Sequence, residues 1–350
     1  MKKIFLILFL ASPLMARGPS DPLPNGFQIF PANNVWNTRI DNMPVSSSNT
    51  AYMADVAYNT VVPSFGSALY AGAYNGDPYN IICLGVTPNA PVSWESGAYI
   101  TESATLTVSG LPIPSDAIVQ GDPAALDPAT DRHLILIDTC TNTGYDIFQA
   151  SRVFVGGVVT SSWTIISLTT WTYTSNALWP ATWTSANAAG TALLPEFVNW
   201  NEVNAGAINH AIGFTLPYTH GPYLWPASHD ANTGPVAFPP LGSRVRLKAS
   251  VDISGYSATN QVILTAMKKY GMILVDNGGY WNLEGAPNTN WNDSDVQTMR
   301  GIVPSTNTFE FIDESSLMIT SNSGQANQSA PTVGHSWSGG FTLKSGGTYQ

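Results

Sequence analysis

Cationic side chains are the most concentrated groups in this sequence that could do chemistry. Arg244, Arg246 and Lys248 alternate with apolar residues through positions 244–253, so in a strand they share one face with Asp252. Cations about 7 Å apart repel one another unless anions or solvent intervene. The pattern predicts either a groove that binds uronate, sulfate or other anionic groups, or a solvated face paired with acids on neighbouring strands.

The histidines are the candidate acid–base groups. His210 precedes an alternating apolar strand, His229 lies in an aromatic loop, and His133 opens another predicted strand. A histidine beside an acid suits proton transfer near neutral pH, and several with an aspartate could bind a divalent metal, although most single histidines are structural. We predict that His210 or His229 moves the proton, while Asp276 or Asp252 orients it or acts as the acid.

Carboxylates and aromatic rings complete the candidate chemistry. A pair of carboxyl groups about 5–9.5 Å apart can hydrolyse a glycosidic bond, and nothing in the sequence selects such a pair. The available carboxylates are Glu196, Glu202, Asp276, Glu284, Asp293 and Asp295. The rings of 11 Trp and 14 Tyr can stack on sugars or fill a core. The predicted substrate-binding residues are Arg244, Arg246, Lys248, His133, Asn209, Trp225 and Asp252.

Composition and the first residues indicate an exported protein. The 350-residue chain is 10% charged with a net charge of −10, which argues against a nucleic-acid partner. Lys2 and Lys3, an apolar run over 4–11 and small residues to Ala16 are typical of a signal peptide, placed at 1–17. We therefore expect a protein secreted to the exterior or the periplasm, where Cys83 and Cys140 form a disulfide or remain buried thiols.

The elements that position these side chains are predicted to be strands. Short apolar runs separated by Gly, Pro, Ser, Thr and Asn over 20–313 predict one mainly β domain, an antiparallel, jelly-roll-like β-sandwich. An apolar stripe with Ser257 as N-cap and Gly271 as the stop predicts one substantial helix near 257–270. Residues 314–350, rich in Ser, Gly and Asn, read as a weakly packed C-terminal extension.

Several motifs within about residues 28–313 occur together as a set. They include INHA at 208–211, WPASH at 225–229, RVRLKASVDISG at 244–255 and KKYGMILVDNG at 268–278. The set resembles a group of secreted bacterial proteins that carry the same motifs. The resemblance implies common ancestry and brings no activity or catalytic residue with it. At Tyr145-Asp146 the chain departs from the group's pattern, in which a glutamate follows the tyrosine.

These observations predict a secreted carbohydrate-active enzyme, a polysaccharide hydrolase or lyase with a cationic, histidine-containing groove. In a lyase, neutralising a uronate carboxylate would acidify the α-proton for a His or Tyr base. The alternative is a non-catalytic glycan-binding or cell-surface adhesion protein, and a third possibility is a metal-stabilised module. We expect a monomer that binds a polysaccharide or glycan, with no cofactor, no bound metal, no nucleic-acid partner and no membrane span.

Overall fold

The computed structural model describes residues 22–24, 27–68, 76–121 and 130–328. The predicted signal peptide (1–17) and the chain beyond 328 lie outside these residues. The described helices are α1 (Asn49–Val56), α2 (Trp200–Ala205), α3 (Ala258–Lys269) and α4 (Asp293–Val296). The described strands are β1 (Val62–Pro63), β2 (Tyr79–Ile82), β3 (Val92–Trp94), β4 (Leu134–Asp138), β5 (Thr143–Phe148), β6 (Ser151–Val155), β7 (Val158–Ile165), β8 (Ser167–Thr172), β9 (Ile212–Leu216), β10 (Arg244–Leu247), β11 (Met272–Asn277), β12 (Asn282–Leu283) and β13 (Phe309–Phe311).

These strands form three mixed sheets. The largest has the order β1-β12-β9-β11-β10-β13, a second has β2-β4-β5-β8, and a third has β3-β7-β6. Each sheet contains a parallel pair: β9 with β11, β2 with β4, and β3 with β7. The prediction of a mainly β fold is confirmed. The expected antiparallel sandwich needs correction, because parallel neighbours must be joined by crossover connections rather than hairpins.

The four-stranded sheet is buried on both faces. Ile135 and Ile137 of β4 join the largest core cluster, which also holds Phe214 of the six-stranded sheet. Leu134 and Leu136, on the opposite face, join a second cluster shared with the three-stranded sheet. A strand buried on both faces has a continuous apolar sequence, which is why the run Leu134–Ile137 shows no alternation.

Helix α3 matches its sequence signals closely. The Ser257 hydroxyl accepts a hydrogen bond from the Asn260 N–H at 3.2 Å, and Lys268 and Lys269 occupy the last turn. Ile263, Ala266 and Met267 of the apolar stripe are buried, and the helix packs against β10.

Strand β10 is shorter than its sequence pattern predicts. It ends at Leu247 because the chain turns there: the Lys248 N–H bonds to Thr308 O, and the Val251 N–H bonds back to Lys248 O. Antiparallel pairing with β11 and β13 places β10 inside the sheet rather than at its edge. Its polar side chains are therefore covered by other parts of the chain.

Packing continues past the domain boundary expected at 313. Leu317 and Ala326 are buried, and an isolated bridge joins Gln325 to Asn34. The chain up to 328 therefore contributes to the folded domain.

A disulfide joins Cys83 to Cys140, whose Cα atoms are 5.1 Å apart. The two cysteines follow the parallel neighbours β2 and β4, so the sheet brings them together at the same edge. Among the described residues, no helix has an apolar stretch long enough to cross a membrane.

Candidate functional site

A cavity of about 540 Å³ is lined by residues of both the six-stranded and the four-stranded sheet. Ligand pockets in proteins usually enclose about 300–1,000 Å³, so this volume suits a small ligand or one end of a polymer. Neutral polar groups of the lining include Gln120, Thr184, Ser185, Asn187, Asn277 and Asn282. Its ionisable groups include Asp77, Asp131, His133, Glu196, Asp276 and Glu284.

Two of these carboxyl groups lie on the strands that flank β9. Thr215 of β9 pairs with Asp276 of β11 on one side, while the Glu284 N–H bonds to Gly213 O on the other. Gly213 and Thr215 are two residues apart and share one face of the sheet. Asp276 and Glu284 therefore stand on either side of β9, two strand spacings across the sheet and two residues along it, or about 12 Å apart at the backbone.

A β-bulge turns Asp276 toward this face. The register between β11 and β9 shifts after Leu274, so that Asp276 pairs with Thr215 and Val275 is the extra residue. In a regular ladder Val275 would pair with Thr215, and Asp276 would point to the opposite face. Bulges re-aim side chains in this way beside functional sites.

Backbone amides hold the Asp276 carboxylate. Its Oδ2 accepts a hydrogen bond from the Ala188 N–H at 3.0 Å, and its Oδ1 accepts one from the Asn277 N–H at 2.6 Å. Burial raises the pKa of Asp276 to about 6, and these two hydrogen bonds limit the rise because they favour the charged form. The group is therefore mostly ionised at pH 7.

The Glu284 carboxyl group has a different environment. No other described residue donates a hydrogen bond to it, and Asp77 and Asp276 are its negatively charged neighbours. Burial, followed by the charges of Asp77 and Asp276, raises the pKa of Glu284 to about 8, although His133 opposes the rise. Glu284 therefore carries a proton at pH 7.

His133 is a fixed cation in the pocket wall. Its Nδ1 donates to Asp77 Oδ2 at 3.2 Å and its Nε2 donates to Ala186 O at 3.0 Å. Burial alone would lower the pKa of His133, but the charge and hydrogen bond of Asp77 outweigh it and raise the pKa to about 9. Both ring nitrogens donate, so the ring is an imidazolium and offers no lone pair to a substrate proton.

Asp77 is placed by a close backbone approach. The Asp77 N–H bonds to Gly285 O at 3.0 Å, next to Glu284. The preceding Gly76 has a φ of +64°, and a Cβ there would lie 2.2 Å from Gly285 O. Only glycine fits this position, which explains how Asp77 comes so near Glu284.

The loop 184–191 connects the charged groups. The Ala186 carbonyl oxygen accepts a hydrogen bond from His133, and the Ala188 N–H donates one to Asp276. The Asn187 side chain donates a hydrogen bond to Glu196. Glu196 is 1% exposed and also accepts from the Thr191 hydroxyl at 2.8 Å. Burial raises its pKa well above the usual range, and the hydrogen bonds from Asn187 and Thr191 let this carboxyl group anchor the loop.

Two of the residues predicted from the sequence line the pocket, Asp276 and His133. His229 is half-buried outside the pocket lining, and its Nδ1 donates to Ala188 O at 2.8 Å. His210 is buried elsewhere, and its ring donates to Ala211 O at 2.7 Å and to Glu202 at 3.1 Å. The imidazoles therefore do not meet in one hollow, as the sequence-based mechanism requires.

The predicted cationic groove is replaced by buried ion pairs. Arg244 is 1% exposed, contacts Glu314 at 3.2 Å and donates to the backbone carbonyls of Val35, Thr38 and Tyr270. Arg246 and Lys248 both contact Glu310, at 2.6 and 3.7 Å. These cations lie outside the pocket lining because β10 is an inner strand whose polar face is covered by the chain between residues 35 and 43.

The other three predicted binding residues also lie outside the pocket lining. Asn209 is exposed, Asp252 accepts a hydrogen bond from the Ser254 N–H at 2.9 Å, and the Trp225 Nε1–H donates to Ser323 O at 2.8 Å.

Four ionisable pocket residues were not singled out by the sequence analysis: Asp77, Asp131, Glu196 and Glu284. Glu284 was one of six unselected carboxylates, and its position across β9 depends on sheet register, which the sequence does not show. Asp131 stands two residues before His133, so its place beside that histidine could have been inferred. No sequence signal marks Asp77.

The described carboxylates of the pocket include no group of three whose ligand atoms lie within 4.8 Å of one another. Among the described residues, Cys83, Asp138 and Cys140 are the one group of three or more His, Cys, Asp or Glu ligand atoms that lie within 4.8 Å of one another. Both of its sulfur atoms are used in the disulfide. Compared with known proteins, the chain matches no family model, no curated sequence and no solved structure.

Proposed function

We propose that the protein is an exported glycoside hydrolase in which Glu284 is the general acid and Asp276 the general base or nucleophile. The observation that carries this proposal is the pair of pocket carboxyl groups on either side of β9, whose pKa values are about 8 and about 6. At pH 7 one of them holds a proton and the other is mostly ionised. Two carboxyl groups held in opposite protonation states are what glycoside hydrolysis requires.

The reaction follows from these states. Glu284 donates its proton to the glycosidic oxygen as the bond to the leaving sugar breaks. Asp276 either removes a proton from the attacking water or attacks the anomeric carbon itself. The ionised Asp276 stabilises the positive charge that develops on the sugar ring, and the imidazolium of His133 favours the ionised form of Asp276.

The lining suits a sugar. Amide and hydroxyl groups such as those of Asn187, Asn282 and Thr184 can both donate to and accept from sugar hydroxyls. Tyr99, exposed among the lining residues, offers a ring that can stack on a sugar face. His133 is the one cationic side chain of the described lining, so the pocket favours hydrolysis over β-elimination from a uronate.

The proposal is tested by a screen for new reducing ends over neutral and charged polysaccharides, with the mature chain. We expect release of reducing sugar by the wild type and a loss of about 10²–10⁴-fold in kcat for Glu284→Gln and Asp276→Asn. Glu95→Gln is the matched control, since Glu95 is exposed and outside the pocket lining. Glycan binding without turnover would instead support the adhesion or binding alternative and overturn the proposal.

A further inference from the structure

The described pocket lining carries more negative than positive charge at neutral pH. Asp77 and Asp131 are carboxylates, Asp276 is mostly ionised, and His133 is the single cation. Glu284 is neutral there because burial raises its pKa to about 8, and burial also raises the pKa of Glu196 well above its usual range. A concave site lined by one sign of charge raises the local concentration of ligands of the opposite sign.

Two of the pocket carboxyl groups have oxygens that accept no hydrogen bond from the described chain. Asp77 is 3% exposed, and its Oδ1 accepts no hydrogen bond although its Oδ2 holds His133. Asp131 is exposed among the lining residues, with no hydrogen bond to its carboxylate from the rest of the described chain. Buried acceptors normally have partners, so unfilled acceptors at a cavity point to a ligand that brings donors.

The spacing of the acids selects the kind of cation. The pocket carboxylates form no group of three ligand atoms within 4.8 Å, so they do not form a compact cage for a metal ion. Acids spread over a pocket of about 540 Å³ fit an organic cation that forms part of a larger polar molecule. A primary ammonium group supplies one positive charge and three donors.

We infer that the substrate is a glycan whose sugar carries a free, protonated amino group, and that Asp131 is a specificity-determining residue that attracts this ammonium group. This inference rests on the proposed function and names the substrate class of the same site. An N-acylated amine is neutral and offers one donor, and a hydroxyl group is likewise neutral. Neither group therefore complements the acidic lining as well as an ammonium group does.

The test compares fully deacetylated glucosamine oligomers with N-acetylglucosamine and glucose oligomers of the same length, at a pH where the amine is protonated. We expect the deacetylated oligomers to have the highest kcat/KM, and this preference to weaken as salt screens the charges. Asp131→Asn should raise the KM for the deacetylated oligomers and reduce their advantage about tenfold. Asp116→Asn, at an exposed aspartate outside the pocket lining, is the matched control.

The outcomes separate the two proposals. Hydrolysis with no preference for the amine, or with a preference that Asp131→Asn leaves intact, overturns the inference and leaves the proposed function standing. If none of these oligomers nor any polysaccharide is hydrolysed, the proposed function fails and the inference fails with it.

Discussion

At the scale of single residues, the site shows how one chemical group acquires two roles. Asp276 and Glu284 both end in a carboxyl group, and both are half-buried in the pocket wall. Two backbone N–H groups stabilise the charged form of Asp276, whereas nothing in the described chain donates to Glu284. The difference between their pKa values therefore comes from the surroundings rather than from the side chains.

The first prediction concerns the pH dependence of activity. The base Asp276 must be ionised, so kcat/KM rises as pH increases through about 6. The acid Glu284 must be protonated, so kcat/KM falls as pH increases through about 8. Initial rates on a hydrolysed oligomer should give a bell with its maximum near pH 7. A profile that stays flat from pH 5 to 9 would contradict this assignment.

The second prediction concerns His133 as an electrostatic group. His133→Gln removes a positive charge that lowers the pKa values of both Asp276 and Glu284, so both limbs of the pH profile should move to higher pH. A glutamine amide can still donate a hydrogen bond to Asp77, and thermal unfolding checks that the variant is folded. An unshifted profile in a folded variant would show that the imidazolium does not tune the pair.

The residue types of the site could be inferred from the sequence more readily than their grouping. His133 and Asp276 were recognised because each adjoins a predicted strand among polar neighbours. Glu284 could not be separated from the other carboxylates, because its role depends on lying across β9 from Asp276. The roles assigned to Arg244 and Arg246 followed from alternation, which places side chains on a face and does not show what covers that face.

At the scale of elements, an inner strand, a bulge and a loop carry the site. The bulge at Val275 directs Asp276 to the face that holds Thr215, and the loop 184–191 contacts both Asp276 and His133. Helix α3 was predictable because its cap, stripe and stop are local signals. The bulge and the end of β10 depend on distant partners, so local sequence did not reveal them.

The third prediction tests whether the cations of β10 are structural. Arg246→Met leaves the half-buried Glu310 with only the more distant Lys248 as a cationic partner, which should lower the free energy of unfolding by about 2–4 kcal/mol. The double variant Arg246→Met, Glu310→Met should recover much of this loss, because an apolar pair needs no ionic partner. Denaturant unfolding of the two single variants and the double variant measures the interaction free energy between residues 246 and 310.

The same variants separate structure from substrate binding. KM and kcat of the folded Arg246→Met protein should equal those of the wild type, because Arg246 lies outside the pocket lining. A raised KM with an unchanged free energy of unfolding would instead show that Arg246 takes part in substrate binding.

At the scale of the whole molecule, the ionisable groups with raised pKa values all make the fold less stable as the pH rises. The pKa values of Asp146 and Asp276 are raised to about 6, that of Glu314 to about 7 and that of Glu284 to about 8. A carboxyl group whose pKa is higher in the folded state contributes its full stabilisation at pH values below its pKa in the unfolded chain. It loses this contribution as the pH rises through its pKa in the folded state. The pKa of His133 is raised to about 9, so its contribution to the stability of the fold is also lost as the pH rises, but at higher pH.

The fourth prediction follows from this balance. The free energy of unfolding should fall by several kcal/mol between pH 5 and pH 8, because the unfolded chain releases protons from these carboxyl groups that the folded chain retains. Glu284→Gln removes one of these groups, so the variant should be more stable than the wild type at pH 8 and similar to it at pH 5. Calorimetry at the two pH values measures both effects, and greater wild-type stability at pH 8 would contradict the prediction.

The measurement that bears most directly on the acid and base roles is a ¹³C NMR titration of the carboxyl carbons of the mature protein. Glu284→Gln and Asp276→Asn each remove one resonance and so assign the pair. The account predicts one midpoint near pH 8 that is absent from Glu284→Gln, and one near pH 6 that is absent from Asp276→Asn. If both carboxyl groups titrate below pH 5, both are ionised at neutral pH, no proton donor stands in the pocket, and the proposed mechanism is wrong.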